Sequence, residues 1–173
     1  MEYRMEHKEG RRFLARVRNF PNEIVDADTK NNHEIPAFWT ECHQKDWIRP
    51  MTALCKAGQR DLYGLCGSLS ESETHFRYGI GVLLSEGTDS AALAQLLQNG
   101  YTVWETKPAD YAVFKCAGAD ADCIGETWGR FFKEFCPQTG YTQTEEADYE
   151  LYYENGEAGV FCELWIPVGK ERA

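Results

Sequence analysis

The chain has 173 residues and a mass of 19.8 kDa, with 43% hydrophobic and 27% charged residues, proportions that fit one globular domain or two small fused halves. A formal net charge of −10 and the absence of any long lysine/arginine run weigh against direct nucleic-acid binding, and no span approaches the ~18 apolar residues of a membrane helix. Seven cysteines without a Cys-x-x-Cys, four scattered histidines and an N-terminus without an apolar signal region argue against structural zinc and for a reduced cytoplasmic protein with no cofactor.

Residues 3–20 alternate as two strands, Tyr3–Lys8 and Phe13–Val17, around a Glu9-Gly10 turn. The polar stretch from Pro21 to His33 reads as a loop. A helix then starts near Ile35-Pro36, with Ile35, Phe38, Trp39 and Cys42 on one apolar face. Asp61–Gly67 and His75–Leu84 form a strand pair across a polar turn. Thr88-Asp89-Ser90 caps a short connecting helix over Ala91–Gln98, which Asn99-Gly100 closes. Strands at Tyr101–Lys107 and Asp110–Cys116 follow, then a helix carrying Ile124, Trp128, Phe131, Phe132 and Phe135 up to Pro137. Asp148–Glu154 and Phe161–Pro167 complete the chain as strands around Asn155-Gly156, a strong hairpin signal.

This order repeats. Tyr3 and Phe13 match Tyr101 and Tyr111 at a constant offset (101 − 3 = 98 and 111 − 13 = 98), and Ile35-to-Trp39 matches Ile124-to-Trp128 (124 − 35 = 89). Asp61-Leu-Tyr matches Asp148-Tyr-Glu, and Phe76-Arg-Tyr-Gly-Ile80 matches Phe161-Cys-Glu-Leu-Trp165. Four matches in one order predict an internal duplication, residues 1–85 and 101–169, within a single domain over 1–173. The expected fold class is α+β: two pseudo-symmetric modules, each a sheet with its helix on one face, and a groove between them.

The last strand carries the sharpest functional signal. Period-2 alternation puts Cys162, Leu164 and Ile166 on a core face and leaves Glu163 between Phe161 and Trp165 on the other. A carboxylate framed by aromatic rings suits a flat cation, through charge pairing and contact with ring faces. The alternative is a structural acid paired with Arg77 or Lys115. By the repeat, Tyr78 is the counterpart of Glu163, although a core tyrosine with its hydroxyl at the rim fits equally. Trp39 and Trp128 occupy matching helix positions, where packing on the sheet and lining a groove are both open. Tyr152 shares a strand face with Glu150 and Glu154, and Phe76 shares one with Tyr78.

The opening Tyr3-Arg-Met-Glu, Phe13-Leu-Ala-Arg-Val, the Ile35-to-Trp39 helix start, Tyr78-Gly-Ile, Lys107-to-Phe114, Trp128 and Glu163-Leu-Trp-Ile-Pro167 together resemble the GyrI-like effector-binding domain over roughly residues 3–168. That module also occurs at the C-terminal end of AraC-type and multidrug-sensing transcription activators. The resemblance implies two β-α-β-β modules (duplicated SHS2-like units) around a central ligand groove, with a glutamate on the last strand, here Glu163, recognising cationic or aromatic ligands. Because the first sheet begins almost at Met1, it also implies a stand-alone form without a helix-turn-helix. The expected role is binding of a flat, hydrophobic, cationic small molecule by Glu163, Tyr78, Trp39, Trp128, Tyr152, Phe161, Trp165 and Phe76. One alternative is a hydrolase of cyclopropane-type electrophilic antibiotics, with Glu163 and Tyr78 catalytic. Another is a gyrase-inhibitor-like protein-interaction role. A third, tetrapyrrole binding, lacks an obvious axial histidine.

Overall fold

The computed structural model describes residues 1–25 and 33–170; residues 26–32 of the expected loop lie outside the described residues. The strands are β1 (Arg4–Lys8), β2 (Arg12–Pro21), β3 (Leu62–Leu69), β4 (Ser72–Leu83), β5 (Thr102–Glu105), β6 (Ala109–Ala117), β7 (Tyr141–Gln143), β8 (Asp148–Tyr152) and β9 (Val160–Lys170). The helices are α1 (Glu34–Gln44), α2 (Arg49–Thr52), α3 (Ser90–Gln98), α4 (Asp122–Arg130) and α5 (Cys136–Thr139), with a π-helical turn over Phe131–Phe135 between the last two. Eight strands form one antiparallel sheet in the order β1-β6-β9-β8-β3-β4-β2-β5, and β7 pairs with the far end of β9.

The expected elements are present, but two pairings differ from simple hairpins. β1 does not pair with β2: it lies along β6, with Arg4 opposite Val113, while β5 lies along β2, with Trp104 opposite Phe13. Each short strand therefore sits at the edge of the half of the sheet that is distant from it in sequence. The last hairpin also departs from expectation: residues 153–159 join β8 to β9, in place of a two-residue turn at Asn155-Gly156. The connecting helix α3 begins as its sequence predicts, with Asp89 accepting from the Ala91 and Ala92 amides, and stops before Gly100 at φ 85°.

Strand alternation sorts the side chains into two faces. On one, Leu14, Ile80 and Val82 are fully buried beside Phe38, Cys42 and Met51 of α1 and α2, each such aliphatic side chain contributing about 1.5–3 kcal/mol. On the same face of the other half, Phe114, Cys116, Leu164 and Ile166 pack under Phe131 and Phe135, just beyond α4. The opposite face holds a third core, where Phe13 and Trp104 meet Tyr111, Tyr149 and Trp165. These residues come from strands at both ends of the order, so the sheet curls around them. The helices leave a strip between their two layers, and its floor is the central pair β3 and β8.

Candidate functional site

The register of the central strands decides what lies on that strip. Gly64 stands opposite both Ile80 of β4 and Glu150 of β8, and Cys66 stands opposite Tyr78 and Asp148. Gly64, Cys66, Tyr78, Asp148, Glu150 and Tyr152 therefore share the helix-covered face. A Cβ at Gly64 would stand 2.1 Å from the Glu150 Oε2 and 2.2 Å from the Tyr78 hydroxyl. The missing side chain is what allows Tyr78 and Glu150 to meet across the strand between them.

They meet in a directed chain of hydrogen bonds. The Trp39 indole N–H, from α1, donates to the Tyr78 hydroxyl at 2.9 Å, and that hydroxyl donates to Glu150 Oε2 at 3.0 Å. Tyr78 is only 2% exposed, and burial drives its pKa well above the phenol range. Glu150 is densely surrounded yet keeps part of its surface accessible. Burial pushes its pKa up to about 7, with the Tyr78 hydrogen bond pulling the other way. Asp148 is raised well above the carboxylate range, first by burial and then by the neighbouring Glu150 charge. Among the described residues, no cation is in the set of groups that shift the protonation of either acid.

Aromatic rings stand over this floor. Trp39 meets Tyr152 edge to face with centroids 5.1 Å apart, Tyr152 meets Phe161 at 5.6 Å, and Trp39 stacks on His43 at 6.4 Å. Phe161 reaches Tyr152 because of a β-bulge. Cys116 faces Cys162 while Ala117 faces Val160, so Phe161 is the extra residue and turns to the helix side.

Glu163 stands elsewhere. Its strand partner is Leu151, on the opposite face of the sheet from Tyr78. Arg4 of β1 grips both of its oxygens, at 2.7 and 2.8 Å, the Tyr153 hydroxyl donates at 2.8 Å, and the Trp165 indole N–H donates at 3.1 Å. Burial pushes the Glu163 pKa up, but these donors outweigh it and the net shift is downward. Its ionic partner is thus Arg4, in place of the expected Arg77 or Lys115; Lys115 bonds Glu157 and Arg77 lies over the Trp104 ring. Glu163 also borders a cavity of about 360 Å3 at the end of the last hairpin, with Lys115, Tyr153 and Phe161.

Of the residues picked out from sequence, the structure brings together Tyr78, Trp39, Tyr152 and Phe161. Trp165 stacks on Tyr149 at 5.5 Å on the far face, beside Glu163, and Phe76 is buried against Phe20 under α1. Trp128 stacks on Phe132 at 5.9 Å along α4, on the ring of a residue that is 55% exposed. Sequence reasoning did not single out Glu150 and Asp148, which share this face. The available signal was the alternation of β8, which puts two acids and Tyr152 on one side of a strand whose other side, Tyr149 and Leu151, is apolar.

A family profile described as Cass2, integron-associated effector binding protein, matches residues 4–168. The chain belongs to this family. The GyrI-like resemblance read from the sequence is thereby established. Among solved structures, SAV2435 bound to tetraphenylphosphonium superposes with a TM-score of 0.75 at 20% identity, covering 98% of this chain and 94% of that one. The Cass2 integron cassette protein from Vibrio cholerae superposes at 0.63 with 16% identity, covering 96% of this chain and 95% of the other. A DNA gyrase inhibitor from Yersinia enterocolitica is 36% identical over 56 residues, 32% of this chain and 35% of that protein. These likenesses fix the fold as a mixed α+β structure built on a large antiparallel sheet.

Proposed function

We propose that the protein binds a flat, hydrophobic cation in the strip between the two helix layers, with Glu150 as the charge partner. The observation that carries this reading is the Trp39–Tyr78–Glu150 chain. It ends on a desolvated, partly accessible carboxyl that has a neutral donor and, among the described residues, no counter-ion, with Tyr152 and Phe161 alongside. A carboxylate desolvated in this way gains most from a ligand that supplies both positive charge and ring surface. The tetraphenylphosphonium held by SAV2435 is a molecule of that class and supports the assignment. In this reading Tyr78, Trp39, Tyr152 and Phe161 contact ligand, while Glu163, Trp165 and Phe76 support the fold.

The strand order also supports the duplicated architecture. Outward from the centre, β8, β9, β6 and β1 correspond to β3, β4, β2 and β5, with α4 and α1 in equivalent connections. The row Ile35, Trp39, His43 on α1 recurs as Ile124, Trp128, Phe132 at the other helix. The groove then lies where two β-α-β-β units of one domain meet.

The test is a tryptophan-fluorescence titration with tetraphenylphosphonium. Saturable quenching by the wild type, weakened at least tenfold in Glu150→Gln and retained in Glu163→Gln, is the expected result. The reverse ranking of the two variants overturns the assignment. A second reading, hydrolysis of a strained electrophile, draws on one observation: a carboxyl with a pKa near 7 beside a tyrosine hydroxyl can exchange protons with a substrate. Ring-opened product recovered after incubation with a cyclopropane-bearing electrophile, and absent with Glu150→Gln, would establish it.

A further inference from the structure

The acid at the groove floor has a neighbour that the cation-binding reading does not use. Asp148 lies two residues before Glu150 on the same strand and on the same face, opposite Cys66 as Glu150 is opposite Gly64. Its side-chain partner is the neutral amide of Gln143, at 3.3 Å. Like Glu150 it keeps part of its surface accessible, and among the described residues it enters no ion pair. Glu163, at 5% exposure, is by contrast neutralised by a bidentate arginine. Lys115, opposite Glu163 on the other face of the sheet, is held by Glu157. Two uncompensated acids therefore lie in line along β8, and the rings of Tyr152 and Phe161 continue the line beyond Glu150.

We infer that the groove selects dications, with Asp148 as the residue that reads the second charge. The inference rests on the cation-binding assignment and adds the spacing. A strand rises 3.2–3.4 Å per residue, so side chains two residues apart on one face stand about 7 Å apart. A rigid aromatic ligand with cationic centres at that separation places one against each acid. Glu150 supplies the common charge contact for any cation, through the orienting bond from Tyr78. Asp148 is a specificity residue, because only a ligand with a second positive centre offsets the desolvation of its carboxylate.

Methyl viologen and N-methyl-4-phenylpyridinium test this directly. The two are flat and nearly identical in shape, and the first carries two charges about 7 Å apart, the i to i+2 distance of a strand, whereas the second carries one. Calorimetric titration of the full chain should show the dication binding at least tenfold more tightly than the monocation. Asp148→Asn should abolish that preference, Asp148→Glu should keep it, and Glu150→Gln should weaken both ligands. Equal affinities in the wild type, or a preference that survives Asp148→Asn, would overturn the role of Asp148 while leaving the cation groove standing. If tetraphenylphosphonium and both flat probes all fail to bind the wild type, the groove assignment falls with it.

Discussion

Two glutamates, thirteen residues apart in sequence (163 − 150 = 13), face opposite sides of one sheet and differ in what surrounds them. Glu163 is 5% exposed and saturated by Arg4, Tyr153 and Trp165. Glu150 has Tyr78 and, among the described residues, no cation. Desolvation alone thus does not distinguish an acid that is already neutralised from one left open to a cation. The distinction lies in whether the fold has already supplied the opposite charge.

The largest effect expected from this contrast is on stability at Glu163. Glu163→Gln removes the counter-charge of Arg4, half-exposed at the edge of the sheet, and should lower the free energy of unfolding by about 2–4 kcal/mol. Urea denaturation measures this, and a variant as stable as wild type would erase the contrast. Cation affinity of the folded variant should change less than about threefold.

Glu150→Gln should behave in the opposite way. Tetraphenylphosphonium affinity should fall roughly thirtyfold, about 2 kcal/mol, while the protein gains stability at alkaline pH. The sign follows from linkage: the folded carboxyl titrates near 7 against a reference of 4.5, so the fold favours the protonated form. The wild type therefore loses stability as pH rises between those two values, and the glutamine variant does not. Above pH 7.5 the gain should be on the order of 1–3 kcal/mol, read from denaturation curves at pH 5 and pH 8.

Gly64→Ala probes the junction from below. The new methyl must displace the Glu150 carboxyl and the Tyr78 hydroxyl together, costing about 1–3 kcal/mol of stability and weakening the cation by a similar amount. A variant with normal affinity would show that the two side chains need not meet there. Smaller again is the pH effect on the wild type. Affinity for tetraphenylphosphonium should rise by up to about tenfold between pH 6 and pH 7 and level off above it. Isothermal titrations at four pH values would show the wave, and its persistence in Glu150→Gln would assign it to another of the facing groups, Asp148, Cys66, Tyr78 or Tyr152. The smallest effect should come from Tyr78→Phe, which keeps the ring but removes the orienting bond to Glu150 and the acceptor of the Trp39 N–H, at about 1 kcal/mol in the same titration.

Much of the fold was legible because it is local. The 3.6-residue spacing of Ile35, Phe38, Trp39 and Cys42 and the cap at Asp89 mark α1 and α3 without knowledge of their neighbours. The pairing of β1 with β6 and of β5 with β2 left no local trace, since each involves strands far apart in the chain. The site was read with a one-residue slip. Matching Phe76–Ile80 to Phe161–Trp165 sets Tyr78 against Glu163, an offset of 85, and an odd offset moves every side chain to the other face. In the ladders Tyr78 and Ile80 share their face with Cys162 and Leu164. The bulge at Phe161 disguised the slip, because it makes that ring obey the wrong alternation. The Arg4–Glu163 bond, which joins the two ends of the chain, carries no spacing that sequence could reveal.

The same edge strands have a temporal consequence. β1 is synthesised about a hundred residues before its partner β6 (Ala109–Ala117), and β5 likewise closes the edge left open by β2. Neither half can satisfy its own border, so an emerging N-terminal half leaves the outer edge of β2 unpaired until its complement arrives. Folding is thereby made a joint event, in which loop-closure entropy is offset late and almost all at once.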